Sequence, residues 1–398
     1  MLANARFTLP RSGLVVLLAV LAAFAPMSID MYLPAMPSIA RDLGVPAREV
    51  QATLAVFMIG FSAGMLLYGP ISDRFGRRPV MLAGVFVFII ASLACVYVER
   101  IDQLIIARLF QAIGGGAASI LARTVVRDLF TAQEAARVLS LMMMLTTLAP
   151  ILAPLAGAAL LEFSGWRAIF AALFGFGSLS IMAVVLLLPE THLKEARGGM
   201  TIGQALGAYW HILSDGPAFG LTVTSAAVFA GLFAYIAGSS FVFIEHFGTT
   251  PGFYATLFAL NAAAVMAAAF ANSHLTRHFE LKSLLSAGVV ISFLAGLYLV
   301  VIDVAGLAGP VTVMAGLMLF VAMVPILGAN GMALLMARYP KNAGAAAATL
   351  GAAQFGTGAL AALVVGALHD GTAFSMCAVM GACGLIALVA FFTLCRRL

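Results

Sequence analysis

The sequence predicts an all-α membrane protein with twelve transmembrane helices in two pseudo-symmetric halves of six. Composition, run length and charge placement each point there. The 398 residues are 63% hydrophobic and 9% charged, with a mean hydropathy of +1.09. A water-soluble domain carries about 25% charged residues, so water is not the main solvent of this chain. Apolar runs between polar breaks reach spanning length at about 14–34, 51–71, 80–98, 103–123, 138–161, 166–188, 217–243, 252–273, 283–302, 310–330, 343–367 and 373–394. Backbone groups in lipid pair within a helix or a closed barrel, and these runs are too long and too uniformly apolar for barrel strands. With the N-terminus in the cytoplasm, twelve spans place sixteen bases inside: Arg6, Arg11, Arg74, Arg77, Arg78, Arg123, Arg127, Arg137, Lys194, Arg197, Arg277, Lys282, Arg338, Lys341, Arg396 and Arg397. Only Arg41, Arg48, Arg100 and Arg167 fall outside. The net charge of +5 is therefore a positive-inside topology signal rather than a nucleic-acid footprint. Both termini are expected in the cytoplasm.

The first run follows Arg6 and Arg11 and has the outline of a secretory signal peptide, but eleven further spans and the polar Asp30 favour an uncleaved first helix. Spans two and three flank Gly69-Pro70-Ile71-Ser72-Asp73-Arg74-Phe75-Gly76-Arg77-Arg78-Pro79. This string reads as a tight loop at the membrane surface, with Gly69 and Gly76 allowing the turn. It could serve only to anchor topology. Alternatively Asp73, an acid among Arg74, Arg77 and Arg78, pairs with neighbouring helix ends and holds one conformation closed. Span four carries Arg108 and the run Gly114-Gly115-Gly116, where small residues permit close helix approach. In span five Pro150 and Pro154 stand one helical turn apart, ahead of Gly157, and predict a bend that is either a hinge or a static kink. The longest polar interruption, 189–216, separates an N-terminal half (1–188) from a C-terminal half (217–398). It ends in an amphipathic stretch around Leu206, Tyr209, Trp210, Ile212 and Leu213, read as a surface helix or a plain connector. Between spans eight and nine, 275–282 faintly echoes 71–78 (Phe279 for Phe75, Lys282 for Arg78), as parallel repeats would. Cys95, Cys377, Cys383 and Cys395 match no metal spacing and no disulfide framework, and the six histidines lie in loops or at helix ends.

Two ionisable residues lie clearly inside apolar spans, Asp30 and Arg108. Counting residues from the span ends puts both in the outer half of the membrane at similar depth, where they could pair directly or through a shared cavity. Charge at such depth is costly and defaults to function. The competing reading has Asp30 capping a helix end before Pro34 and Pro37, with Arg108 snorkelling to headgroups. Burial and a nearby guanidinium act oppositely on a carboxyl group, so small movements switch its protonation; competition of proton and substrate for one carboxylate suffices for antiport. Candidates for the substrate surface are Phe57, Met58 and Phe61 in span two, Gln111 in four, and Met142 and Thr146 in five. The second half adds Phe233, Tyr235, Phe241, Phe258, Asn261, Asn330, Gln354 and Phe355. Aromatic and Met side chains also fill ordinary helix interfaces, and Asn and Gln also bond neighbouring helices.

These motifs resemble the major facilitator superfamily over nearly the whole chain, and more narrowly the drug:proton antiporters of the Bcr/CflA (bicyclomycin- and chloramphenicol-resistance) type. The Gly69–Pro79 string is similar to the family's loop between spans two and three. Arg108-Leu109-Phe110-Gln111-Ala112-Ile113-Gly114 resembles its span-four motif, and Ala149 to Gly157 its span-five antiporter motif. Asp30-Met31-Tyr32-Leu33-Pro34-Ala35-Met36-Pro37 is the string most typical of the narrower branch, and Pro189-Glu190-Thr191 fits as well. Ser239-Ser240-Phe241 has serine where that branch commonly has proline. The resemblance implies a monomer in the bacterial inner membrane, exporting small amphipathic antibiotics in exchange for protons, with Arg108 in proton coupling. A proton-coupled metabolite transporter is the alternative, and a transport-dead sensor or scaffold a third; no metal set or nucleophile–base pairing points to an enzyme, and no cofactor is implied. One charge crossing the membrane is worth about 2.3 kcal/mol per 100 mV. With one membrane acid, neutral and monovalent substrates are expected to move well and dications poorly.

Overall fold

The computed structural model describes residues 11–191 and 202–395. Arg6, Lys194, Arg197, Arg396 and Arg397 of the charge count lie outside them. The described chain is helical: α1 (Arg11–Ala22), α2 (Phe24–Asp30), α3 (Met36–Leu43), α4 (Ala47–Phe75), α5 (Arg77–Val96), α6 (Ile101–Leu129), α7 (Ala132–Thr147), α8 (Ala149–Ser164), α9 (Arg167–Leu187), α10 (Ile202–Leu213), α11 (Gly216–Ser240), α12 (Pro251–Leu275), α13 (Leu281–Val304), α14 (Pro310–Arg338), α15 (Ala343–Ala367) and α16 (Phe374–Leu394). Eleven spans are long and apolar enough to cross a membrane. The bent pair Gly13–Ala22 and Phe24–Leu43, turning by 45°, makes the twelfth. Below, the face where the described chain begins and ends is the near face, and the opposite one the far face.

The first span, expected as one helix over 14–34, is broken and runs on to Leu43. Prolines explain where it breaks. A proline has no N–H for the carbonyl four residues back. Pro26 frees the carbonyl of Ala22, where α1 stops, and the Ser119 hydroxyl from α6 lies 3.3 Å from that oxygen. Pro34 likewise frees the carbonyl of Asp30, the last residue of α2, before a single 3₁₀ turn at Leu33–Ala35. A carboxyl group is thereby left at a helix end within the bundle. Span five follows the same rule: Pro150 frees the carbonyl of Thr146, and the helix is interrupted at Leu148 between α7 and α8.

The Gly69–Pro79 string, expected as a tight loop, is helical except at Gly76. Helix α4 runs through Gly69 and Pro70 to Phe75, and Gly76 alone separates it from α5. Gly76 has φ +100° and ψ 154°, backbone that a side chain would strain. Pro70 is tolerated inside α4 because the carbonyl it orphans, that of Leu66, accepts a hydrogen bond from the Tyr209 hydroxyl at 3.0 Å. The amphipathic stretch is thus a helix, α10, docked by Tyr209 and Ile212, with Leu206 and Trp210 exposed on its other side.

Around Gly76 the charges interlock. The Arg77 guanidinium bonds Asp73, one turn earlier, and Asp128 at the end of α6 at 3.0 Å. Glu190 accepts from the backbone N–H groups of Arg77 at 3.0 Å and Arg78 at 3.3 Å. Its carboxylate thus sits on the open N-terminus of α5, where the helix dipole favours negative charge. Arg78 donates to the Val185 carbonyl at 2.7 Å, and Arg74 stacks on Phe75. On the C-terminal side, Arg338 bonds Asp215, which precedes α11, and this hydrogen bond holds the Asp215 carboxyl below its ordinary range.

The halves pack α4 against α15 and α8 against α12, while α7 packs within its own half against α1 and α6. Gln51 of α4 donates to the Ala237 carbonyl at 3.0 Å, and Ser62 to that of Ala352 at 2.8 Å. At the far face Arg41 meets Glu245 at 3.5 Å. That bridge is exposed, so its contribution is small, about 0–1 kcal/mol.

Candidate functional site

Two groups of buried polar side chains stand out, and they share the short helix α2. The first surrounds Arg108, which is fully buried. Its Nη1 donates to the Ser28 carbonyl at 3.0 Å and to Gln111 Oε1 at 2.6 Å. Gln111 in turn donates to Ser92 Oγ at 2.8 Å. The guanidinium carbon lies 4.7 Å from the Tyr32 ring, 4.4 Å from Phe57 and 5.9 Å from Phe170. Aromatic faces stabilise a cation whose hydration has been removed. Among the described residues, Nε and Nη2 have no hydrogen-bond partner.

The second group surrounds Asp30. It is 5% exposed and lines a cavity of about 130 Å³ between the halves. Pro150 of α8 contributes one wall, and Leu232, Tyr235, Ile236, Phe258, Asn261, Ala262, Val265 and Val321 of the other half contribute the rest. Tyr235 and Phe258 stack with ring centroids 5.5 Å apart. Asn261 donates to the Tyr235 hydroxyl at 3.0 Å. Tyr254, within electrostatic reach of Asp30 as Tyr235 is, shares a hydrogen bond with Ser239 at 2.9 Å.

Asp30 and Arg108 do not pair. Among the described residues no hydrogen bond or ion pair reaches the Asp30 carboxyl, and Arg108 spends its contacts on Ser28, Gln111 and three rings. Helical geometry gives the reason. Residues two apart point about 200° away from each other, so Tyr32 covers Arg108 while Asp30 turns towards α11 and α12. The direct pairing admitted by their depths is therefore absent, and the cavity is shared with the second half.

The other sequence candidates divide by location. Tyr235 and Asn261 line the cavity with Asp30, as do Phe258 and the kink residue Pro150. Gln111 has both ends of its amide engaged, so it positions Arg108. The Phe61 and Phe355 rings meet at a tilt with centroids 4.6 Å apart, and Phe355 lies 5.2 Å from Phe229, which makes this trio part of the seam between halves. Met58 is fully buried in α4, and a side chain at Gly358 of α15 would strike its terminal methyl group. Met142 is buried, and Thr146 bonds the Met143 carbonyl of its own helix at 3.1 Å. Phe241 opens a π-helical turn, Phe241–His246, and lies 5.6 Å from His369 near the far face. Gln354 approaches Gly328 of α14. Asn330 forms a reciprocal amide pair with Asn272, at 3.0 and 3.2 Å, joining α12 to α14. Pro154 lies inside α8, and Gly157 abuts the backbone of Met31. Sequence reasoning missed Tyr32 and Phe170 beside Arg108, Tyr254 near Asp30, and Glu190 on the N-terminus of α5. For Tyr32 the signal was available in its spacing of two from Asp30.

A larger apolar groove, about 670 Å³, lies on the outside of α5 and α6, lined by exposed Phe86, Ile90, Ile106 and Phe110. Its lining holds no carboxylate, amine, guanidinium or imidazole, and its polar members are Tyr97 and Gln103.

With this geometry in view, the comparisons with known proteins are specific. The family model described as Major Facilitator Superfamily matches residues 18–362. The chain belongs to the Major Facilitator Superfamily. It is 33% identical over 344 residues to an uncharacterized MFS-type transporter, YdgK, of Bacillus subtilis, covering 86% of this chain and 85% of that one. It is 30% identical over 381 residues to a bicyclomycin resistance protein homolog of Haemophilus influenzae, covering 96% and 95%. It is also 30% identical over 274 residues to the multidrug resistance protein MdtL of Klebsiella pneumoniae, covering 69% of each. Among solved structures, a D-xylose-proton symporter superposes with a TM-score of 0.76 at 17% identity, covering 97% of this chain and 98% of that one. The nucleoside transporter NupG superposes with a TM-score of 0.77 at 13% identity, covering 96% and 99%. These two likenesses concern the fold alone.

Proposed function

We propose that this protein exports small amphipathic drugs or antibiotics across the bacterial inner membrane in exchange for protons, by alternating access. It is a transporter and not an enzyme, it works as a monomer, and both of its termini face the cytoplasm. The halves, 1–188 and 217–398, rock about the central cavity and are tied by the linker 189–216. The observation that carries this reading is an almost fully buried carboxyl group, without a protein partner, at a cavity whose remaining walls come mostly from the other half. A carboxyl group so placed can hold a proton or a substrate but not both. The relatives named for bicyclomycin and multidrug resistance support drugs as the cargo.

Arg108 couples this exchange to shape. It grips α2 by the Ser28 carbonyl, two residues before Asp30. Its two unfilled donors favour any arrangement that brings them an acceptor. Rotation of α2 on deprotonation of Asp30 supplies that acceptor, and binding of a proton releases it. The Asp73–Arg77–Asp128 cluster, with Gly76 and Glu190, latches the near ends of α4, α5 and α6 as one unit during the movement.

The test is a drug-susceptibility panel, including bicyclomycin, in an efflux-deficient bacterium that expresses wild-type protein, Asp30→Asn or Arg108→Ala at equal levels. The wild type is expected to raise tolerance to at least one compound by fourfold or more (roughly 1 kcal/mol of drug gradient). Both variants should return it to the vector baseline. Unchanged tolerance to every compound would shift the assignment to a metabolite.

A further inference from the structure

A residue of the cavity lining also carries a second unsatisfied polar atom, which the proton cycle does not use. Asn261 is 2% exposed and lines the cavity, and its Oδ1, itself buried, accepts no hydrogen bond among the described residues. The orientation of the amide is fixed by its other end. Nδ2 donates to the Tyr235 hydroxyl at 3.0 Å and to the Met314 sulfur at 3.4 Å. A thioether can only accept, so the nitrogen faces Met314 and the carbonyl oxygen is the atom left over. Apart from this oxygen, the Asp30 carboxyl and the Tyr235 hydroxyl, the lining named above is apolar, with the stacked Tyr235 and Phe258 rings forming a flat wall.

We infer that the Asn261 carbonyl oxygen is a specificity-determining acceptor of the transport site, selecting compact, largely apolar ring compounds that bear an O–H or N–H donor. The inference rests on the export reading and narrows its substrate class. A buried acceptor costs free energy until a donor reaches it. A substrate that brings a donor removes that cost, whereas its alkylated analogue seals the oxygen in without a partner. Asp30 belongs to the first half and Asn261 to the second. A compound that donates to both ties the halves together through itself, so its arrival and departure are felt by the rocking motion.

The test uses a naphthylamine and its N,N-dimethyl derivative, two neutral fluorescent compounds that differ in the N–H donors, with wild-type protein in lipid nanodiscs. The wild type is expected to bind the free amine about tenfold or more tightly than the dimethyl compound. Asn261→Leu should bring the two within about twofold, and Asn261→Asp, which keeps an acceptor, should preserve the preference for the amine. Equal wild-type affinity for the pair overturns the inference, whether or not the leucine variant folds. Binding of neither compound by a protein that still confers drug tolerance overturns the assigned substrate class. Failure of both the pair and the drug panel overturns the export reading itself.

Discussion

Asp30→Asn in reconstituted vesicles should abolish accumulation of substrate against its gradient while leaving passive exchange in place. The amide has nearly the shape of the protonated acid, so the cavity keeps its walls and substrate can still enter. What is lost is the choice between a proton and a substrate at one group. The size of the effect follows from the driving force. A membrane potential of 100 mV contributes about 2.3 kcal/mol per charge, enough for about a 50-fold gradient of a neutral compound exchanged for one proton. In the amide variant that ratio should fall to unity, with exchange rates reduced far less. Parallel loss of exchange would mean that the side chain holds structure rather than a proton.

Gly157→Ala should be nearly as damaging, for a reason of contact rather than charge. A β-carbon at 157 would lie 2.1 Å from the carbonyl oxygen of Met31 and 2.8 Å from its carbonyl carbon. Both are backbone atoms of the residue next to Asp30, so no side-chain rotation relieves the clash. Either α8 or the end of α2 must move, at a cost of about 1–3 kcal/mol. The carboxyl then moves relative to Tyr235 and Asn261. Transport should fall at least about tenfold, since misplacement by about 1 Å is enough for losses of that order. Gly175→Ala is the matched control, because nothing lies within 4 Å of a β-carbon there. Equal transport by the two variants would show that the approach of α8 to Met31 does not position the site.

Particular residues show how much of this was legible from sequence. The spans were readable because an apolar run of bilayer length has few other uses, and Asp30 and Arg108 stood out by the same logic. Their depth followed from counting, whereas their orientation needed the helical angle between positions 28, 30 and 32. The string at Gly69–Pro79 misled because glycine and proline are strong turn formers in water. In this bundle the Tyr209 hydroxyl fills the carbonyl that Pro70 frees, and the helix continues. That hydroxyl arrives from 143 residues away, beyond the reach of any local rule. Gln111 reads as a substrate contact because an amide in an apolar span is uncommon, but its two ends are already engaged by Arg108 and Ser92. Phe61 and Phe355 stand out in the sequence for their aromatic character, and they meet each other across the seam. Asn261 differs in that its amide is only half satisfied among the described residues. No periodicity distinguishes such a residue from Gln111.

The claim beneath all of this is that substrate and proton exclude one another at Asp30. Proton release on substrate binding measures it directly, in weakly buffered solution without a membrane potential, using the compound that gives the largest wild-type tolerance. Binding at a pH where the carboxyl is still protonated should release close to one proton per wild-type molecule and none from Asp30→Asn. Binding without release, or equal release from both proteins, would contradict the account.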